Sequence, residues 1–257
     1  MIQDVAAPLT LFPNATPAHG DYVFQCRGAE VAITPWTRAA TTVHPLVQVG
    51  DLTVFLGAAP DAAWGNSQIL RRLPTAELRF AAFCANHLAR WFLDHRWCGR
   101  CGALLTRKRA SLHCTACGHE IFPVISPAVI VGLVHQGKLL VTRYADRPYS
   151  GPALVAGYCE VGETAETTCI REALEETGLH ITRMRYFASQ PWGLSGSLLL
   201  GYFAETANAD VRLDDHELAE AVWLAPDELP PPPDAYGTLS LTATMIQAFA
   251  RGEVTFD

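Results

Sequence analysis

No apolar run in this 257-residue chain reaches the roughly 18 residues that a membrane-spanning helix requires. The opening MIQDVAAPLT has neither a basic cluster nor a long apolar core, so a secretory leader is not expected. The closing EVTFD carries no lipidation or peroxisomal signal. Positive charge is also scarce. Nineteen Lys and Arg against 26 Asp and Glu leave a net charge of −7, which argues against a general binder of duplex nucleic acid. No internal repeat or low-complexity tract stands out. What remains, 49% hydrophobic and 18% charged, is the composition of a soluble globular protein long enough for two cored domains. A cytoplasmic location is expected. Eight cysteines in such a chain point to metal binding or free thiols before disulfides.

Residues 1 to 73 read as short strands: Tyr22–Phe24, Val31–Ile33, Leu46–Val49 and Leu52–Leu56, the last two joined by a Gly50-Asp51 turn. They hold no catalytic constellation. After Pro74-Thr75, Phe80, Phe83, Cys84, His87, Leu88, Trp91 and Phe92 recur at helical spacing as one apolar stripe. His87, its polar exception, reads as a hydrogen-bonded core or interface histidine. Further on, Ala128–Val134 and Leu139–Thr142 read as strands around a turn at Gln136 to Lys138. Ala153–Ala156, Met184–Ser189, Ser197–Phe203 and Ala221–Leu224 add more strands. A proline connector spans 230–233, and Thr238–Arg251 reads as a closing helix.

Cys98-Gly99-Arg100-Cys101 and Cys114-Thr115-Ala116-Cys117 are two CxxC pairs twelve residues apart, followed by Gly102 and Gly118. Four thiolates at that spacing suit tetrahedral Zn²⁺ in a ribbon, with a disulfide or redox pair as the alternative. Four protein ligands close the site, so the zinc would be structural. His113 and His119 flank the ligands without joining them. Arg107-Lys108-Arg109 reads as a solvated loop, a phosphate contact being the alternative.

From Gly157 to Leu179 the chain reads GYCEVGETAETTCIREALEETGL. Thr164 to Thr177 contains no Pro or Gly, and Gly178 supplies a helix stop. On that helix Glu172, Glu175 and Glu176 share one face at i, i+3 and i+4, with Ile170, Ala173 and Leu174 opposite and able to pack inward. Such carboxylates repel one another unless a hard divalent cation joins them. A plain solvated acidic face would not account for the two glycines, Glu163 and Arg171.

This stretch resembles the Nudix box, G-x5-E-x7-R-E-U-x-E-E-x-G-U with U a bulky aliphatic. Every fixed position matches, and only Ala173 is a weak U. The resemblance implies an α+β chain: an N-terminal mostly-β domain (1–96), a four-cysteine zinc ribbon (97–122) and a C-terminal Nudix domain (123–257), an α/β/α sandwich. It implies hydrolysis of a nucleoside diphosphate linked to another moiety. Glu172, Glu175, Glu176 and the Ala156 carbonyl would hold Mg²⁺ or Mn²⁺, and Arg171 would pair with Glu163.

A ribbon directly before a Nudix domain resembles the NADH pyrophosphatase group, whose later motif is SQPWPFPxS. Ser189-Gln190-Pro191-Trp192 and Ser197 match, whereas Gly193-Leu194-Ser195-Gly196 departs. By that resemblance Glu217 is a further metal ligand, with Glu220 as fallback. Phe122 and Tyr158 would sandwich the nicotinamide, and Gln190, Pro191, Trp192 and Ser197 would contact substrate. The expected reaction splits NAD(H) into NMN(H) and AMP, with removal of NAD caps from RNA 5′ ends as an extension. Another nucleoside diphosphate derivative such as ADP-ribose, or a non-catalytic nucleotide sensor, are the alternatives. The group's dimers use its N-terminal part and ribbon, so a homodimer through the Phe80–Phe92 helix is expected. The turn Gly193 to Gly196 is expected to be more mobile than a proline-braced one.

Overall fold

A computed structural model of the protein describes residues 1–41, 43–145, 151–213, 218–231 and 239–256. The chain forms two compact units: Ile2–Ile125 together with Trp192–Gly196, and Ser126–Pro191 together with Ser197–Asp257 and Met1.

The N-terminal unit is built on one sheet in the order β1-β4-β5-β2-β3-β6. Its strands are β1 (Leu9–Leu11), β2 (Tyr22–Arg27), β3 (Glu30–Pro35), β4 (Val43–Val49), β5 (Leu52–Gly57) and β6 (Gly65–Asn66). The four strands read from the sequence are all present, and Gly50 takes the left-handed conformation (φ 58°) at the turn between β4 and β5. β1 and β6 are additions. Both are very short edge strands, and β1 is exposed throughout, so neither leaves an alternating pattern to read.

Helix α1 (Ala76–Asp94) starts where the sequence places it, with Thr75 Oγ1 accepting from Leu78 N at 3.2 Å. Its stripe is turned onto β2, β4 and β5 of its own sheet, which leaves Phe80, Phe83 and Trp91 almost wholly buried. The expectation that this stripe serves a homodimer interface is therefore corrected, because the apolar face is already covered within its own unit. Exposed large apolar side chains lie elsewhere, at Trp97, Leu104, Phe122, Val124 and Ile125.

Three two-residue strands, β7 (Thr106–Arg107), β8 (Leu112–His113) and β9 (Glu120–Ile121), form the ribbon's small sheet. Leu105, Leu112, Cys98 and Cys114 pack with Trp91 at the end of α1.

The C-terminal unit has β10 (Ser126–His135), β11 (Lys138–Tyr144), β12 (Val155–Tyr158), β13 (Ile181–Trp192), β14 (Ser197–Thr206) and β15 (Leu218–Leu224). They run in the order β13-β14-β10-β11-β15, with β12 also paired to β10. β10 reads as an unbroken apolar run because both its faces are covered. Val129, Val131 and Leu133 pack with Cys169 and Ala173 of α2 (Ala165–Thr177). Ile130 and Val134 pack with Leu241, Met245 and Phe249 of α3 (Leu241–Ala250). Side chains alternate across a strand, so the two helices cover opposite faces and the unit is an α/β/α sandwich. Of the connector expected over 230–233, residues 232 and 233 lie outside the described residues, as does Thr238.

Candidate active site

Helix α2 is defined at both ends by local chemistry. Thr164 Oγ1 accepts from Thr167 N at 3.2 Å, while Thr164 N donates to Thr167 Oγ1 at 2.8 Å, a reciprocal cap. Gly178 ends the helix in the left-handed conformation (φ 70°), donating to Leu174 O at 2.9 Å. The inward side of the helix differs from the sequence expectation. Ile170 and Leu174 are 46% and 43% exposed, and of the three opposite residues only Ala173 packs inward. Glu172 and Glu176 are buried instead, 9% and 4% exposed, beside Thr168, Cys169 and Thr177.

Two features let carboxylates take that place. The first is Gly157 on β12. A Cβ there would lie 1.8 Å from Glu172 Oε1 and 2.5 Å from Oε2, so a side chain at 157 would push the Glu172 carboxylate out of this position. The second is Arg171. Its Nε donates to Glu163 Oε1 at 2.7 Å and its Nη2 to Glu163 Oε2 at 2.9 Å, a two-bond fork. Its Nη1 reaches Glu172 Oε1 at 2.6 Å and Glu175 Oε2 at 3.0 Å, and Nη2 also donates to the Tyr158 carbonyl at 2.9 Å. Like charges one turn apart oppose a helix by only about 0.2–0.5 kcal/mol per pair. A guanidinium bonded to two of the helix carboxylates offsets that.

The hydrogen bonds from Arg171, joined by one from Glu160 N, pull the Glu163 carboxyl down to about 2. The same pairing raises Arg171 further above its already high value. Burial pushes the Cys169 thiol up to about 12, as befits an inert core residue.

The other sequence-derived residues fall into distinct settings. Ala156 lies on β12 opposite Ile130 of β10. Tyr158 is 53% exposed, and its hydroxyl lies 3.2 Å from Ser197 Oγ, which is itself buried. Phe122, in the N-terminal unit, is also largely exposed. Pro191 is exposed and Trp192 half-buried. Gln190 is held by the chain itself. Fully buried, it donates from Nε2 to Leu239 O at 2.8 Å and accepts from Leu241 N at 2.7 Å, so its amide fixes the start of α3. Glu217 lies outside the described residues. Its fallback, Glu220, pairs with Arg143 at 3.0 Å on the sheet surface.

In the ribbon the two CxxC turns are copies of each other. Gly102 N donates to Cys98 O and Gly118 N to Cys114 O, each at 2.8 Å, with both glycines left-handed (φ 75° and 74°). Sulfurs around zinc at about 2.3 Å form a tetrahedron with edges of about 3.8 Å. Here Cys98 Sγ–Cys117 Sγ is 3.7 Å, Cys101 Sγ–Cys114 Sγ is 3.5 Å, and all four sulfurs lie within 4.8 Å of one another. The set fits Zn²⁺. Neither His113 nor His119 belongs to it.

The basic loop is partly engaged. Arg107 lies over the rings of Phe92 (4.7 Å) and Phe12 (5.3 Å) and donates to Pro45 O at 2.9 Å, while Lys108 pairs with Glu120 at 3.5 Å. Sequence reasoning missed Asn86, a wholly buried polar residue on α1. Its only signal is a polar side chain inside a stripe of apolar neighbours.

An α/β/α sandwich with buried carboxylates on a helix, held by an arginine and a glycine cradle, defines a Nudix-class fold and site. Family models agree, matching a NUDIX domain over residues 125–244 and an NADH pyrophosphatase zinc ribbon domain over 93–122. The chain belongs to the Nudix family, in the branch that carries this ribbon. It is 36% identical over 194 residues to the NAD-capped RNA hydrolase NudC of Actinobacillus succinogenes, covering 71% of this chain and 72% of that one. The Pectobacterium atrosepticum protein of the same name is 34% identical over 170 residues, 65% of each chain. The match thus spans just under two thirds of that relative's length. A NUDIX hydrolase from Nitrosomonas europaea shares the fold alone, with a TM-score of 0.53 at 19% identity over 62% of this chain and 92% of that one. Among the described residues, no helix is long and apolar enough to cross a membrane.

Proposed function

We propose that this protein hydrolyses the pyrophosphate bond of NAD(H) to give NMN(H) and AMP, and that it also acts on NAD-capped RNA 5′ ends. The observation that carries the reading is the pair of buried carboxylates, Glu172 and Glu176, on the inner face of α2, with Glu172 seated in the Gly157 cradle beside Arg171. Carboxylates taken out of water and held beside a charged partner are candidates for a functional site. The ribbon domain carried by the same chain supports a dinucleotide as substrate, as does the likeness to relatives named NAD-capped RNA hydrolase.

Glu172, Glu175 and Glu176, with the Ala156 carbonyl and Glu217, would hold Mg²⁺ or Mn²⁺, and hard carboxylate oxygens suit such a cation. When bound, the metal neutralises the diphosphate and lowers the pKa of a coordinated water. The chain's own residues do the rest. Arg171 keeps the Glu163 loop against α2 and orients Glu172 and Glu175. A glutamate of this cluster takes the proton of the attacking water. Water adds to one phosphorus, the bridging oxygen leaves with the other phosphate, and the products are two monophosphates. Tyr158 and Phe122, both exposed, are the aromatics offered for stacking on the nicotinamide.

The departure at Gly193 to Gly196 favours a second reading, hydrolysis of another nucleoside diphosphate derivative such as ADP-ribose. The free cysteines support a reducing, cytoplasmic setting. The exposed apolar residues of the ribbon region support a homodimer. Incubation with NADH, NAD⁺, ADP-ribose and NAD-capped RNA in the presence of Mn²⁺ tests the reading. NADH should give AMP and NMNH at the highest kcat/KM. No AMP from NADH, NAD⁺ or ADP-ribose, and no NMN from the capped RNA, would refute it.

A further inference from the structure

The turn that departs from the family motif is held by a device of its own. Gly193 is buried, and a Cβ there would lie 2.0 Å from the carbonyl oxygen of Phe83 and 2.5 Å from its carbon. Both are backbone atoms of α1, so no side chain fits at this position unless the helix or the turn moves. Asn86, one turn further along α1, donates from Nδ2 to Gly193 O at 2.7 Å. Its Oδ1 accepts from Arg90 Nε at 3.0 Å, and Arg90 donates onward to Gly28 O at 2.8 Å and Ala29 O at 3.3 Å in the β2–β3 turn.

Gly196, left-handed at φ 71°, closes the turn against His87, where a Cβ would meet Nε2 at 3.1 Å. His87 is in turn bonded to Val124 O at 2.8 Å. The Trp192 ring packs edge-on to Phe83 with centroids 5.2 Å apart and has the Arg71 guanidinium 5.8 Å above it. Phe83, Asn86, His87 and Arg90 stand at i, i+3, i+4 and i+7, a single face of α1. The turn's glycines, from which mobility is expected, here allow close approach to a helix.

We propose that Asn86 is a positioning residue for substrate, latching the Trp192–Gly196 turn to α1 and so setting the place of Trp192. The link to substrate rests on the proposed dinucleotide reading; the latch itself does not. A wholly buried amide with both ends bonded fixes one arrangement, because each alternative leaves a desolvated group unmatched. Glycine at 193 is the partner this latch requires, and the proline of the related motif would be excluded from it.

The test compares full-length wild type with Asn86→Asp, which keeps the shape and the Arg90 bond but sets an acceptor against Gly193 O. Gly193→Ala attacks the same contact from the turn and serves if the first variant does not fold. Two readouts are taken on each protein: amide hydrogen exchange across 190–198, and KM and kcat for NADH with Mn²⁺. Exchange in the turn should rise about tenfold or more and KM about tenfold, with kcat changed less than about threefold, as expected for one buried bond lost. Unchanged exchange overturns the latch whatever the activity. Faster exchange with unchanged KM overturns the positioning role. If wild type does not cleave NADH, the dinucleotide reading fails with the substrate role, while the exchange result still decides the latch.

Discussion

In the ribbon, four cysteine ligands stand ready, their sulfurs at tetrahedral spacing on two matching glycine turns. In the glutamate helix the ligands are kept apart. Arg171 binds Glu172 and Glu175, Glu176 is buried, and among the described residues only the cysteines gather as a metal-holding group. On the proposed function, the difference follows from what each metal would do. A structural ion is wanted permanently, so its site is closed and its geometry built in. On the proposed function, a catalytic ion would need a position left open for substrate, so its site would not be closed by protein ligands alone.

Four changes would break or sharpen that contrast. Glu176→Gln should have the largest effect, a fall in kcat of about 10²–10⁴-fold, the range of a lost acid–base or metal-binding group. The melting temperature should change little, and both are read on one preparation. Cys114→Ser, at a buried ligand, should abolish zinc retention and the order of the ribbon, seen as rapid amide exchange across 98–121. Gly157→Ala should lower kcat/KM about 10–100-fold by displacing Glu172 from its cradle, as for lost support of a metal ligand. Zinc content should not change, which separates the two sites.

The smallest effect concerns acid stability. Arg171 holds the Glu163 carboxyl at about 2 against an ordinary 4.5. A depressed carboxyl contributes stability that is complete above its unfolded value and is lost as pH falls through its folded one. Wild type should therefore lose stability between pH 4.5 and about 2, and Glu163→Gln should flatten that part of the denaturation profile.

Much of this was legible in the sequence, for identifiable reasons. Ligand spacing is written locally, so Cys98 to Cys117 and Gly157 to Gly178 declare themselves, as does the helix stop at Gly178. Strands with both faces covered, such as β10, show as apolar runs. Long-range packing does not show. Ile170 and Leu174 look like core residues from composition, yet the inward face of α2 is set by a glycine on β12. Gln190 sits within a motif associated with substrate but is bonded to α3, about fifty residues on. Gly193 reads as a loosened turn until Phe83 and Asn86 of α1 are placed beside it. In each case the deciding neighbour is distant in the chain.

The most direct test of the two-metal contrast follows zinc content and NADH cleavage in one preparation as free divalent metal is removed and then restored as Mn²⁺. Zinc should stay at about one per chain throughout, as a closed four-cysteine site retains its ion. Release of AMP and NMNH should fall to background and return with Mn²⁺. Cleavage that persists without added metal, or that tracks zinc content, would contradict the account.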